Sequence, residues 1–220
     1  MRGMSCSAAS GVFYASQSGS PTLDQGEGGG NPFASAFIEL LERPSLSLAE
    51  IAADLAGLTE EKSRGFQLPE VPKNTISTQW KVKPVPSSVK RVALVFVYAD
   101  YRCRGIPSLP GARQDLKRVA LALREVGFRV QTVVDPSSEN LASLLQEMSS
   151  WSEGAEAAVI YLTGHGFERN GQVYLAPNDY PFEKGFKYLP ELAIHVPELK
   201  RFLNASTANL IFFGGCRSIR

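Results

Sequence analysis

A histidine and a cysteine each follow a short apolar run that ends at glycine. Residues 157–166 read A-A-V-I-Y-L-T-G-H-G, and residues 209–217 read N-L-I-F-F-G-G-C-R. An imidazole can take the proton of a thiol, which makes the thiolate that attacks a carbonyl carbon, and can later protonate the leaving amine. The two motifs therefore predict nucleophilic catalysis, with Cys216 as the nucleophile and His165 as the general base and acid.

Glycines beside both side chains suit the same chemistry. The backbone N–H of Gly166 can approach a substrate oxygen, and together with the N–H of Cys216 it would form an oxyanion hole. Taken singly, each residue also has a structural interpretation, because a buried cysteine usually serves as a small apolar group and a lone histidine is usually a satisfied polar group. Their position at the same end of one predicted sheet favours catalysis.

A regular alternation of strands and helices from residue 91 onward would position these residues. The runs before His165 and Cys216 are apolar on both faces, which is typical of strands inside a covered parallel sheet. The carboxyl ends of parallel strands meet at one edge, so we expect both motifs there. Further strands are predicted over 91–98 and 129–134, helices over 114–125 and around Leu141 and Leu199, and a hairpin at Asn170 and Gly171.

The first third of the chain has a different pattern. A strand over 11–16 precedes a Gly- and Ser-rich stretch, 17–30, which predicts an exposed, mobile loop. Asn31 and Pro32 then open an amphipathic helix, and Ser47 with Glu50 forms a capping box that starts a second one. A short edge strand over 65–71 and a surface linker follow.

Composition excludes several classes of function. The chain has 220 residues, a formal net charge of +1 and 44% hydrophobic residues, which argues against electrostatic binding to nucleic acid or membranes. It has neither a transmembrane run nor a signal-peptide core, so we expect a cytoplasmic protein. We favour a monomer over an oligomer. The cysteines (Cys6, Cys103 and Cys216) are too widely spaced for a zinc site, and no carboxylate cluster has calcium-ligand spacing, so we expect no metal and no cofactor.

The sequence around both motifs resembles the caspase and metacaspase clan of cysteine peptidases, in particular its bacterial members. Y-L-T-G-H-G over 161–166 and G-G-C-R over 214–217 are similar to its histidine and cysteine motifs, and they are separated by 216 − 165 = 51 residues. L-P-G-A-R-Q-D over 109–115 and Y-L-A-P-N-D over 174–179 are similar to the loop, helix and hairpin of its large subunit. The resemblance implies an α/β fold with a mostly parallel six-stranded sheet flanked by helices on both faces.

The N-terminal third resembles the family's small subunit, which normally follows the catalytic cysteine. The resemblance therefore implies a single, circularly permuted domain over 1–220: a small-subunit-like segment 1–71, a linker 72–89, and a large-subunit-like segment 90–220. The ends of such a chain would fall where relatives have the linker that they cleave during maturation. We therefore expect competence without that cleavage.

The resemblance also implies a substrate preference. Metacaspase-like members hold an Arg or Lys side chain before the scissile bond with two acidic residues. Asp115 matches the first, whereas Gly214 stands in place of the second. A lone carboxylate still provides a charge-assisted contact to a guanidinium, and the alternative role of Asp115 is to stabilise the start of a helix. In caspases arginines bind an acidic residue instead, a role open to Arg102 or Arg104.

Other charged or reactive residues have plainer interpretations. Asp24 and Glu27 are interpreted as solvated loop charges, His195 as a surface or capping residue, Cys103 as a loop thiol near the site and Cys6 as a tail residue. The leading hypothesis is a cysteine endopeptidase that acts on peptides or proteins, preferentially after Arg or Lys. The alternatives are a catalytically silent caspase-like module, which Gly214 favours, and an unrelated α/β domain that binds a small molecule.

Overall fold

The central element is a parallel sheet of five strands in a computed structural model, which describes residues 8–43, 45–72, 80–82, 86, 88–101 and 105–219. The strand order is β1-β10-β6-β4-β5, and every neighbouring pair runs parallel. This confirms the α/β class with a mostly parallel sheet. The strands are β1 (Ala9–Tyr14), β4 (Arg91–Val97), β5 (Arg129–Val134), β6 (Ala157–Thr163) and β10 (Ala208–Phe213).

The predicted count of six strands is wrong for the described residues. Residues 65–71 form no strand and contribute only an antiparallel bridge between Glu70 and Tyr14, since Pro69 and Pro72 lack the N–H groups that a ladder needs. The strands after His165 turn away into a second sheet, with the order β11-β7-β8-β9. Its members are β7 (Gly166–Arg169), β8 (Gln172–Leu175), β9 (Ile194–His195) and β11 (Ser218–Ile219).

Helices cover both faces of the central sheet, as predicted. Alternate strand residues point to opposite faces, and each face forms its own hydrophobic cluster. One cluster includes α1 (Pro32–Leu41), α2 (Leu48–Lys62) and α3 (Pro110–Glu125). The other includes α4 (Ser138–Ser152) and a 3-10 helix, Val196–Phe202. The remaining helices are α5 (Leu189–Leu192) and 3-10 turns at Glu27–Gly29 and Phe182–Lys184.

Local sequence signals account for several element boundaries. The Asn31 side chain accepts a hydrogen bond from the Phe33 N–H at the start of α1, and Ser47 and Glu50 form both bonds of the predicted capping box. Asn170 and Gly171 adopt positive φ in the turn between β7 and β8, as the dipeptide predicts. Helix α3 starts at Pro110 rather than at residue 114, because proline suits a first helical turn.

The predicted linker is not wholly a surface segment. Within it, Lys81–Val82 forms β3, which pairs with β2 (Leu46–Ser47), and Trp80 and Val82 are buried. The guanidinium of Arg91, itself buried, lies 5.4 Å from the centroid of the Trp80 ring. Linker residues 73–79, 83–85 and 87 lie outside the described residues. No helix in the described ranges is long and apolar enough to cross a membrane.

Candidate active site

His165 and Cys216 follow neighbouring strands of the central sheet. Strands β6 and β10 pair in parallel with Leu162 opposite Phe213, so the turns after them emerge side by side. The two turns are in close contact, because a Cβ atom on Gly166 would lie 2.2 Å from the carbonyl oxygen of Cys216. Only glycine at position 166 permits this approach.

A backbone carbonyl fixes the His165 ring. Its Nε2 lies 2.8 Å from the carbonyl oxygen of Pro107. A carbonyl oxygen can only accept a hydrogen bond, so Nε2 carries the proton and Nδ1 is the basic nitrogen of the neutral ring. Burial lowers the pKa of His165, against smaller raising effects from Pro107 and the charge of Asp24. The ring is therefore held in the neutral form that a general base requires.

Tyr101 contacts both the backbone and the ring of His165. Its hydroxyl accepts a hydrogen bond from the His165 N–H at 2.8 Å and donates one to the Ala176 carbonyl at 2.9 Å. The Tyr101 and His165 rings meet edge to face with centroids 4.4 Å apart. Burial raises the Tyr101 pKa, so the phenol stays protonated and keeps both contacts.

Thr22, in the loop after β1, lies against the Cys216 sulfur. The Thr22 N–H donates to Sγ at 3.1 Å, and the Thr22 Oγ1 lies 3.2 Å from the same atom. The N–H is a donor to sulfur, and the hydroxyl can either donate to the sulfur or accept from the thiol. The same contacts place this loop directly on the proposed nucleophile.

Backbone contacts anchor the loop on one side of Thr22. Gly19 N–H donates to the Arg217 carbonyl, and Arg217 N–H donates to the Ser20 carbonyl. Arg217 itself is buried, and its guanidinium binds the carboxylates of Glu168 and Glu70. The residue after the cysteine therefore joins the histidine hairpin to the N-terminal segment.

A buried amide pair anchors the loop on the other side. Leu23 N–H donates to Gln67 Oε1 at 2.9 Å, and Asn31 Nδ2 donates to the carbonyls of Leu23 and Gly214. Gln67 is fully buried and Asn31 is 3% exposed. The central part of the loop over 17–30 is therefore partly buried rather than exposed, because its polar groups have buried partners. The mobility of this loop stays a prediction.

Asp24 is not a solvated loop charge, contrary to the sequence interpretation. Its carboxylate accepts hydrogen bonds from the N–H groups of Gly111 and Ala112 at 2.9 and 3.1 Å. These N–H groups belong to the first turn of α3, which has no side-chain cap of its own, and orphan donors at a helix start favour an anion. Asp24 is half-buried, and burial raises its pKa against the two amide contacts.

Asp115 lies one turn further along α3 and is 1% exposed. It accepts a hydrogen bond from the Asn31 N–H at 3.1 Å, and Arg118 Nη1 lies 3.5 Å from its other oxygen. Burial raises the pKa of Asp115 to about 8, outweighing the lowering effects of Asn31 and Arg118. Its role in substrate binding stays a prediction.

The remaining sequence candidates lie apart from the dyad or beyond the described residues. His195 belongs to β9 and its Nε2 contacts Gln172; it makes no side-chain cap on the following 3-10 helix. Cys6, Cys103, Arg102, Arg104 and the side chain of Glu27 lie outside the described part of the chain. Among the residues described, no group of three His, Cys, Asp or Glu side chains is placed to hold a metal.

Sequence reasoning missed Thr22, Tyr101 and Pro107. No spacing signal marks them, because each reaches the dyad through a loop whose path depends on distant contacts. The oxyanion roles of the Gly166 and Cys216 N–H groups stay predictions.

A caspase domain model matches residues 90–218, which include both motifs. The chain therefore belongs to the caspase domain family of cysteine peptidases. No curated protein matches it.

Two solved caspases are similar in structure. The Drosophila initiator caspase Dronc has 20% sequence identity and a TM-score of 0.37, and the match covers 46% of this chain and 43% of that chain. Caspase-1 from Spodoptera frugiperda has 18% identity and a TM-score of 0.39, with 57% of this chain and 46% of that chain covered. The chain therefore spans less than half the length of either caspase.

Proposed function

We propose that the protein is a cysteine endopeptidase with a Cys216–His165 dyad that cleaves peptide bonds after Arg or Lys. The observation that carries this proposal is the fixed His165 ring, whose Nε2 is held by Pro107 beside the Cys216 turn. This contact orients the imidazole in a turn that touches the Cys216 turn, and it leaves Nδ1 as the basic nitrogen of the neutral ring.

The reaction follows from this arrangement. His165 Nδ1 takes the Cys216 proton, and the thiolate attacks the scissile carbonyl carbon while the C=O electrons move to oxygen. The Gly166 and Cys216 N–H groups stabilise that oxyanion. Its collapse breaks the C–N bond, and His165 returns the proton to the leaving amine. Water, deprotonated by His165, then hydrolyses the thioester and restores the thiol.

Asp115 supports the preference for a basic side chain. It matches the first acidic position of metacaspase-like proteins, and an acidic residue at such a site can form a charge-assisted pair with a guanidinium. The glycine at position 214 leaves the other acidic position of metacaspase-like proteins without a side chain.

A second candidate is a catalytically silent caspase-like module that binds peptides or partners. The contact of Thr22 with Cys216 Sγ favours it, because the loop occupies hydrogen-bonding positions around the sulfur. In that case the loop after β1 stays in contact with Cys216, and no substrate carbonyl reaches the thiol.

We also propose that the segments are circularly permuted and that no linker processing is needed. The pairing of β1 with β10 in one uncut chain supports both ideas, since the β1 edge and the Cys216 turn are already joined through Arg217.

Hydrolysis of fluorogenic peptides with Arg, Lys, Asp or Ala before the scissile bond tests the function. We expect cleavage after Arg and Lys by the intact chain, checked by electrophoresis, and its loss in Cys216→Ala and His165→Ala. Folded protein that cleaves no peptide would support the silent module, and activity only after clipping would contradict independence from processing.

A further inference from the structure

A second acidic side chain would be crowded at position 214. A Cβ atom on Gly214 would lie 3.0 Å from both the Thr163 Oγ1 and the Tyr161 hydroxyl. These are contacts at the limit of normal packing, so a carboxylate there would displace the β6 side chains. If a second carboxylate serves the site, it comes from another element.

Asp115 is poorly placed to bind a cation by itself. Its carboxyl is nearly inaccessible, and a Cβ atom on Gly30 would lie 1.9 Å from its Oδ1, so the Gly30 backbone covers it. The guanidinium of Arg118 already lies beside it. With a pKa of about 8, the carboxyl is largely protonated at neutral pH.

Asp24 has the opposite properties. It is only half-buried, and its two amide contacts leave two acceptor sites of the carboxylate unused. The loop that carries it touches Cys216 at Thr22, and Asp24 interacts electrostatically with both His165 and Asp115. Asp24 therefore lies at the start of the helix that carries Asp115, in the same loop that contacts the cysteine of the dyad.

A buried polar group marks the inner end of this region. The Tyr161 hydroxyl is fully buried, and it interacts with the Asp115 carboxyl both electrostatically and through a side-chain hydrogen bond. Buried hydroxyls normally have partners. Here that partner is the Asp115 carboxyl, which supports a buried structural role for Asp115.

We propose that Asp24 is the specificity-determining carboxylate that binds the Arg or Lys side chain before the scissile bond, with Asp115 as a buried support. This inference rests on the proposed function, and it assigns the charge recognition to the loop after β1 instead of to the turn before Cys216. The N–H groups of α3 already hold the Asp24 carboxylate in place. Binding of a guanidinium therefore costs little further conformational entropy of the Asp24 side chain.

Peptides with either Arg or citrulline before the scissile bond test the contribution of the positive charge to binding. Citrulline is a neutral analogue of Arg with a similar shape. Binding is measured first in the Cys216→Ala chain, where no turnover occurs, and then as the kcat/KM ratio in the active chain. We expect Arg to be favoured over citrulline by about 10- to 100-fold, the usual range for a charged hydrogen bond. Asp24→Asn should reduce the ratio to about threefold or less.

The variant keeps an oxygen that can accept from the Gly111 N–H, and a matched control is Asp54→Asn on the exposed side of α2. Equal thermal midpoints and equal alkylation of Cys216 by iodoacetamide in wild type and Asp24→Asn would show that fold and dyad are intact. An Arg preference that survives Asp24→Asn, or one that only Asp115→Asn removes, overturns the inference. Selective binding of Arg without turnover would instead contradict the proposed catalysis and leave Asp24 as the binding residue.

Discussion

The Thr22 side chain shows how one residue can either activate or cover the proposed nucleophile. Its N–H and hydroxyl both lie within hydrogen-bond distance of Cys216 Sγ. The N–H, and the hydroxyl when it donates, favour attack by sulfur, because they stabilise its negative charge. A substrate, however, needs access to the same atom.

We expect Thr22→Val to slow alkylation of Cys216 by iodoacetamide about 3- to 10-fold at pH 7, the effect of one lost hydrogen bond. Valine is close to threonine in shape and keeps the backbone donor, so packing of the loop changes little. The rate is measured by mass spectrometry, with Thr59→Val, whose hydroxyl bonds to the Leu55 carbonyl, as a control for general destabilisation. Faster alkylation would mean that the hydroxyl shields the sulfur.

At the scale of elements, the approach of β7 to the Cys216 turn requires a glycine at position 166. A Cβ atom on Gly166 would lie 2.2 Å from the Cys216 carbonyl oxygen and 2.6 Å from the Phe213 ring. Both neighbours belong to tightly packed backbone and core. The histidine and cysteine turns would therefore have to separate to accept any side chain.

Gly166→Ala should lower the free energy of unfolding by about 1–3 kcal/mol, as overpacking typically does, and abolish peptide cleavage. Gly57→Ala provides the matched control, since a Cβ atom added at Gly57 in α2 would meet no atom within 4 Å. Alanine in a helix interior should raise the free energy of unfolding by about 1 kcal/mol relative to glycine. Urea denaturation measures both. A Gly166→Ala chain as stable as wild type would contradict the close approach.

The elements predictable from sequence are those specified by local signals. Neighbouring residues alone determine these features, and the structure confirms them: the apolar strands β4, β6 and β10, the Asn31 cap and the Ser47–Glu50 capping box. Strand β3 was missed because its two residues are held by distant partners. Likewise, Thr22 and Asp24 reach the site only through contacts with Cys216, Gly111 and Ala112, which no spacing in the sequence encodes.

For the whole molecule, Asp115 connects protonation to stability. Its folded pKa of about 8 lies above the value of about 3.9 for an unfolded aspartate, so the folded state holds an extra proton between these values. The contribution of Asp115 to stability is therefore greatest at low pH and decreases as pH rises through this window. The groups that face it are Arg118, Asp24 and Tyr161.

Asp115→Asn should weaken the dependence of stability on pH. We expect the decrease in melting temperature between pH 5.5 and 8.5 to be smaller than in wild type, because asparagine cannot ionise and still accepts from the Asn31 N–H. Differential scanning fluorimetry across this range measures it, with Asp54→Asn as the control that keeps the wild-type slope. Parallel curves for wild type and Asp115→Asn would show that the carboxyl does not titrate in this window.

The order of the two segments provides the last prediction. Strand β1 pairs with β10 over six residues, and α1 packs against α3, so the N-terminal segment completes both the sheet and one face of the core. Neither contact depends on which segment comes first in the chain. Moving residues 8–72 behind residue 219 through a flexible Gly/Ser linker should therefore give a protein with a similar thermal midpoint and peptide specificity.

Deleting residues 8–72 is the matching control, and it should expose the β10 edge and the α3 side of the core. We expect that chain to be insoluble or unfolded by circular dichroism, whereas the reordered chain remains folded. The reason is that contact between the segments, and not their order, stabilises the sheet. A reordered chain that fails to fold would contradict circular permutation, since order would then be part of what the fold requires.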